Sequence, residues 1–209
     1  MKWQIVLFSV AVTGACVLIG WVFWEQELKY ALPTPIPKNY RDVKIGDKVD
    51  LSNYVMSNKP IMLHFFNPDC SCSRFNIMEF ERIARKYGDK INVYVILQTE
   101  DESAVQKFKN KYDLDLPVLL DRSGAISDAT GIYSTPQCVL LDSSSTIYFK
   151  GNYNLTRYCT RKETSFADLA AQNLLNGKSL PPWIVTELSV PYGCQLPSDL
   201  PDLVYQTNK

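Results

Sequence analysis

The stretch of sequence that decides the fold is FFNPDCSCSR, residues 65–74. It follows the short apolar run PIMLHFF, residues 60–66, which predicts a buried strand. Residues 73–87 then carry apolar side chains at near-helical spacing with charges between them, which predicts a helix. Cys70 and Cys72 therefore lie where a strand passes through a short loop into a helix.

This position favours a reactive cysteine. The first turn of a helix has unpaired N–H groups and a partial positive charge, which stabilise a thiolate. Arg74 adds a cation nearby, whereas the carboxylate of Asp69 acts against the thiolate of Cys70.

Outward from this segment, strands and helices alternate at first, and a strand pair follows. Strands are predicted at residues 91–97, 117–120, 138–141 and 146–150, and further helices at residues 102–112 and 165–175. This order predicts an α/β domain with a mixed central sheet flanked by helices.

The N-terminal segment predicts a membrane anchor. Residues 3–24 contain no charged side chain and would form a helix of about 33 Å, enough for one bilayer crossing. Lys2 is expected to stay in the cytoplasm, so the rest of the chain would lie on the other side. Residues 32–37, LPTPIP, predict a stiff, extended spacer that holds the domain away from the membrane.

Composition excludes several classes of function. The chain has 209 residues, with 22 basic and 22 acidic side chains, so no basic excess favours nucleic-acid binding. His64 is the single histidine, which argues against a metal site built from several histidines. Six cysteines is a high count for this length, and an extracytoplasmic location would let disulfides persist.

Two segments resemble the thioredoxin superfamily, especially the membrane-anchored TlpA-like and AhpC/TSA-type redoxins. The first is the strand, aromatic pair, loop, cysteine and helix of residues 65–74. The second is residues 121–142, DRSGAISDATGIYSTPQCVLLD, in which Thr135-Pro136 matches the cis-proline pair of that family. The resemblance covers roughly residues 59–151 and implies a thioredoxin-like fold.

The resemblance also implies roles for particular residues. Cys70 aligns with the attacking cysteine, and Arg74 with the basic residue that follows the motif. Thr135 and Pro136 would present backbone groups to a bound partner strand. His64 aligns with a buried acid that moves protons, a role an imidazole can also fill.

The sequence departs from the family in its cysteine spacing. The second cysteine of the family motif aligns with Ser73, and Cys72 comes one residue early, which gives Cys-x-Cys. Three interpretations stay open: a strained redox pair of Cys70 and Cys72, a Cys70 that works with a different cysteine, and a pair that captures Cu(I).

The other cysteines need a separate account. Cys138 is expected to be a buried thiol without a chemical role. Cys159 and Cys194 flank the helix at residues 165–175, and a disulfide between them would staple the C-terminal tail. The alternative is that one of these two resolves an intermediate at Cys70.

The combined expectation is an inner-membrane, single-pass protein with a periplasmic thioredoxin-like domain that exchanges disulfides with protein or small-molecule thiols. Cys70 would attack and Cys72 would resolve; no cofactor or resident metal is expected. The expected division is an anchor at residues 1–25, a proline-rich linker and lead-in at 26–50, the domain at 51–178 and an irregular tail at 179–209. The alternatives are a Cu(I)-binding redoxin, a non-catalytic adaptor and a thiol peroxidase; for the last, Asn67 departs from the family pattern.

Overall fold

The structure is a computed structural model that describes residues 2–38, 40–55, 57–68, 70–99, 101–187 and 190–196. Its helices are α1 (Lys2–Phe23), α2 (Lys29–Ala31), α3 (Ser71–Tyr87), α4 (Ser103–Lys111), α5 (Ala125–Thr130), α6 (Phe166–Leu175) and α7 (Pro182–Glu187). Its strands are β1 (Ile61–Phe66), β2 (Asn92–Leu97), β3 (Val118–Leu120), β4 (Ser134–Thr135), β5 (Gln137–Leu141), β6 (Ile147–Gly151) and β7 (Cys194–Gln195).

Five strands form the central sheet in the order β3-β2-β1-β5-β6. β1, β2 and β3 run parallel, whereas β5 and β6 run antiparallel to their neighbours. β1 lies in the middle and is buried along its whole length, as its apolar sequence predicts. The mixed sheet predicted from the sequence is confirmed.

Alternating side chains of β1 enter two apolar cores, one on each face of the sheet. Met62 and Phe66 pack with α3, α4 and α6, while Leu63 and Phe65 face the other side. That second core is closed by α5 and by apolar residues of the segment before β1, including Val43 and Val49. The sheet therefore holds the end of β1 rigidly from both sides.

Every strand and helix predicted in the domain is present, with ends shifted by one or two residues. The helices α5 and α7 and the two-residue strands β4 and β7 were not predicted. The N-cap of α5 is Gly124, which has a positive φ, and the Asp121 carboxylate accepts hydrogen bonds from the Ile126 and Ser127 N–H groups. Such short elements carry too few periodic positions to be predicted from hydrophobicity.

The apolar N-terminal helix is one continuous candidate membrane span from Lys2 to Ala31, with a π-helical turn at Trp24–Leu28. The proline-rich segment after it is non-helical, as predicted, but it does not stand free of the rest of the protein. Thr34 is only 5% exposed, and its N–H donates a hydrogen bond to the Pro191 carbonyl (2.9 Å). The linker is instead packed against the C-terminal part of the chain.

Candidate active site

Cys70 lies at the N-cap of α3, directly after the loop that leaves β1. Its N–H donates to the Asn67 carbonyl (3.1 Å), and its own carbonyl accepts from the Arg74 N–H (3.3 Å). The sulfur is therefore held at the positive end of a long helix, where a thiolate is stabilised. Asp69, the carboxylate expected to oppose this, lies outside the described residues.

Cys70 is joined by a disulfide to Cys194, with an S–S distance of 2.08 Å and a Cα–Cα distance of 6.0 Å. The predicted staple between Cys159 and Cys194 is therefore wrong, and Cys159 is a free thiol. The reason is strand pairing. β7 lies antiparallel to β4 with Cys194 opposite Thr135, which carries Cys194 to the start of α3.

The β4 strand lies beside this disulfide. The Thr135–Pro136 peptide bond is cis, and the Thr135 carbonyl oxygen is 3.7 Å from the Cys70 sulfur. The Thr135 hydroxyl donates to the Phe65 carbonyl (2.9 Å) and is 3.0 Å from the Ser73 hydroxyl. Because the Thr135 proton is already committed to Phe65, Ser73 donates to Thr135. The residue at the place of the family's second cysteine thus ties α3 to β4.

Gly193 allows the tail to approach this closely. It has φ +116°, and a Cβ atom built on it would lie 2.3 Å from the Thr135 carbonyl oxygen. Any other residue at this position would force β7 away from β4. The glycine therefore permits the strand pairing that places Cys194 against Cys70.

Cys72 is a free, buried thiol. Burial raises its pKa, and the Arg157 guanidinium acts against that rise. Arg157 is 8% exposed, and it also binds the Gln26 carbonyl (2.7 Å) and the Glu27 carboxylate (2.8 Å). Cys72 is thus not the disulfide partner of Cys70. No local pattern pointed to Arg157, because its contact with Cys72 depends on the tertiary fold.

His64 is fully buried in β1. Its ring stacks on Phe80 with centroids 3.9 Å apart, and its Nδ1 is 2.8 Å from the Tyr153 hydroxyl. Burial lowers the pKa of His64 to about 3, so the imidazole is neutral near pH 7. Arg74 is exposed on the first turn of α3. Of these two predicted site residues, His64 is thus enclosed in the core, whereas Arg74 is in contact with solvent.

Two further thiols lie beyond the disulfide. Cys138 is fully buried in β5, and its pKa is raised by desolvation, which fits the expected buried thiol. Cys159 accepts a hydrogen bond from the Asn76 side chain (3.2 Å), and burial raises its pKa to about 11. Both are protonated at neutral pH, so neither is activated as a nucleophile.

Comparison with known proteins agrees with this geometry. The model of the AhpC/TSA family matches residues 34–150. The thioredoxin-like protein YneN of Bacillus subtilis (strain 168) is 29% identical over 105 residues, which are 49% of this chain and 60% of that protein. The thiol-disulfide oxidoreductase ResA of Bacillus thuringiensis subsp. konkukian (strain 97-27) is 25% identical over 103 residues, 49% of this chain and 58% of ResA.

The solved structure of a hypothetical protein from Sinorhizobium meliloti 1021 shares the fold. It has a TM-score of 0.63 and 17% identity, and the match covers 81% of this chain and 98% of that one. The curated relatives are matched over about three fifths of their own length. The fold is thioredoxin-like, and since the family model matches more than half of the sequence, the chain belongs to the AhpC/TSA family.

Proposed function

We propose that this protein is a membrane-anchored thiol–disulfide oxidoreductase in which Cys70 exchanges with the partner and Cys194 resolves the intermediate. The observation that carries the proposal is the disulfide between these two residues at the start of α3, beside Thr135–Pro136. Relatives named as thioredoxin-like and as a thiol-disulfide oxidoreductase support the same class of chemistry.

The exchange has two steps. The Cys70 thiolate attacks a sulfur of the partner's disulfide, which forms a mixed disulfide and releases one partner thiolate. The Cys194 thiolate then attacks the Cys70 sulfur, which releases the second partner thiolate and closes the Cys70–Cys194 bond. This assignment gives Cys194 the resolving role that the spacing of the motif had assigned to Cys72. Thr135 and Pro136 would present the partner strand.

His64 has a more restricted role in this proposal. Its neutral imidazole is a weak base, so any proton relay through it passes along its hydrogen bond with Tyr153. The proposed location is the inner membrane, with the domain in the periplasm. Support comes from the apolar helix Lys2–Ala31 and from the position of Lys2 before it. Proteins or small molecules with thiols or disulfides are the proposed partners.

The test is reduction of a peptide disulfide by the full-length chain in detergent micelles, with dithiothreitol as the electron source. Cys70→Ser should lower the rate to that of the uncatalysed reaction, because the nucleophile is gone. Cys194→Ser that is first reduced and then freed of dithiothreitol should accumulate the mixed disulfide at Cys70 when the peptide is added, detected by mass spectrometry. Cys72→Ser should stay within about threefold of the wild type, because the thiol is buried and protonated. Full activity of Cys70→Ser would exclude the proposal.

A further inference from the structure

The segment that carries Cys194, residues 190–196, is called here the tail segment, and it lies between two parts of the chain. On one side β7 pairs with β4, and the Leu196 N–H donates to the Tyr133 carbonyl (2.9 Å). On the other side Pro33 forms a β-bridge with Tyr192. The tail segment is thus an extended strand inserted between the linker and β4.

Further contacts fix its position. The Gln195 side chain donates to the Pro35 carbonyl (3.2 Å), and the Tyr192 hydroxyl donates to the Asn154 carbonyl (2.6 Å). Leu196 is buried in the core that contains Phe65. Cys194 thus lies in an extended strand, opposite Thr135 and next to Cys70. This is the arrangement that a polypeptide partner would need for exchange.

We propose that the tail segment occupies the docking site of an extended, disulfide-bearing client polypeptide, so that the oxidised protein is closed to clients and only the reduced protein can dock one. The inference rests on the proposed function and adds the direction of electron flow. The protein would act as the reductant of its client, because β4 and the Cys70 sulfur are both occupied whenever the Cys70–Cys194 disulfide is present.

Reduction opens the site because it removes the covalent bond that retains the tail segment. What remains is the two-residue strand pair, the bridge to Pro33, a few hydrogen bonds and the buried Leu196 side chain. So short a strand pair is weak by itself. The client strand then competes with a tail segment that is linked to the domain only through the polypeptide chain, and no longer through a disulfide to Cys70.

One turnover transfers two electrons from the protein to the client. The Cys70 thiolate attacks the client disulfide, and the Cys194 thiolate then breaks the resulting mixed disulfide. The client leaves with two thiols, which take up two protons, and the protein returns to its disulfide form with the tail segment on β4. Release of the client and closure of the site are therefore the same event.

Regeneration needs a dithiol reductant that does not dock on β4. Cys70 is 2% exposed, whereas Cys194 is partly exposed. Attack on the Cys194 sulfur makes Cys70 the leaving group, and the start of α3 stabilises the departing thiolate. The second thiol of the reductant then attacks the reductant's own sulfur in this mixed disulfide. The Cys194 thiolate is released, and the two-electron reduction is complete.

The first test is hydrogen exchange of the full-length protein in micelles, in the oxidised and reduced states. The Leu196 and Thr34 amides, both hydrogen-bonded in the tail-segment contacts, should be protected when oxidised and should exchange at least about tenfold faster when reduced. Amides of β1 should not change. Equal protection of Leu196 in both states would overturn the proposal, because the site would then stay closed.

The second test uses the thiol peptide VPYGCQL, which copies residues 190–196, and the same peptide with alanine in place of its glycine. Mixed disulfides at Cys70 of the oxidised protein are measured by mass spectrometry. The wild type should react slowly and equally with both peptides. Gly193→Ala, whose own tail segment cannot seat on β4, should react about tenfold faster, with the glycine peptide only.

Gly177→Ala is the matched control, because Gly177 also has a positive φ (+63°), but a Cβ atom at this position would meet no other part of the protein within 4 Å. It should behave as the wild type. An oxidised wild type that reacts as fast as Gly193→Ala would overturn the proposal. The glycine peptide can also be supplied with its cysteine already joined to a small thiol in a mixed disulfide. Cys70 of reduced Cys194→Ser should react with this form of the peptide, and failure of that reaction would instead refute the proposed function. If Gly193→Ala does not fold, the hydrogen-exchange result decides.

Discussion

Cys70 and Cys72 are separated by one residue at the start of α3, yet they have different partners. Cys70 faces β4 and the tail segment and is bonded to Cys194, whereas Cys72 is buried against Arg157. Cys70 is the N-cap and has an extended backbone (φ −85°, ψ 123°), whereas Cys72 lies within the first turn of the helix. Closeness in the sequence therefore does not make a Cys-x-Cys motif at a helix start a working pair.

The largest expected effect on stability comes from removing the disulfide at Cys70. Cys194→Ser opens a loop with a residue separation of 124, and the chain-entropy model gives a loss of about 5 kcal/mol in the free energy of unfolding. Guanidinium unfolding of the oxidised full-length protein in micelles measures this loss.

Cys159→Ser is the matched control for that experiment. It removes a free thiol and its hydrogen bond from Asn76, which should cost about 1 kcal/mol. Equal losses for Cys159→Ser and Cys194→Ser would mean that the Cys70–Cys194 bond does not stabilise the fold, and the comparison between Cys70 and Cys72 would fail.

The next effect tests the buried face of α3, where the His64 ring stacks on Phe80. The pKa of His64 is about 3 in the fold and about 6.5 in the unfolded chain. Below pH 6.5 the unfolded chain binds a proton that the folded chain does not, so stability falls as the pH decreases. The loss should approach 1.4 kcal/mol per pH unit between about pH 6 and pH 4.

Replacement of the histidine isolates this contribution. His64→Gln does not titrate, and its side-chain amide can still form a hydrogen bond with the Tyr153 hydroxyl. The difference in unfolding free energy between wild type and His64→Gln should therefore change by about 2–3 kcal/mol from pH 6 to pH 4. A constant difference over this range would show that water reaches the imidazole and that this side of α3 is not closed.

The smallest expected effect concerns the contact between the linker and the tail segment that carries Cys194. Thr34→Pro removes the N–H that donates to Pro191, whereas Thr34→Ala keeps it. One lost hydrogen bond of about 1 kcal/mol should make the Cys70–Cys194 disulfide about fivefold easier to reduce at equilibrium. Thiol trapping in glutathione buffers measures this. An equal shift for Thr34→Ala would assign the effect to the side chain.

Much of this fold follows from local sequence patterns. The apolar run of β1 and the periodicity of α3 predict both elements and place Cys70 at their junction. The Thr135–Pro136 pair marks the strand that faces this junction. These features depend on neighbouring residues, so a single sequence contains the signal for them.

The rest of the site depends on long-range pairing. Cys194 reaches Cys70 through β4 and β7, which have two residues each and no periodicity to detect. Gly193 is decisive only because of the Thr135 carbonyl that it approaches. Arg157 contacts Cys72 and Glu27 only because the fold brings these residues together. Spacing within the Cys-x-Cys motif pointed to the wrong partner for the same reason.

Ser73 has a consequence for how the site behaves over time. Its hydroxyl joins Thr135, and through Thr135 it joins the end of β1, by bonds that neither oxidants nor thiols alter. A sulfur atom in its place would itself take part in electron transfer. The oxygen makes this junction inert, so the frame around Cys70 has the same shape before and after each exchange. Under the proposed function, the tail segment is the part of the site that would have to move, whereas this junction would stay in place.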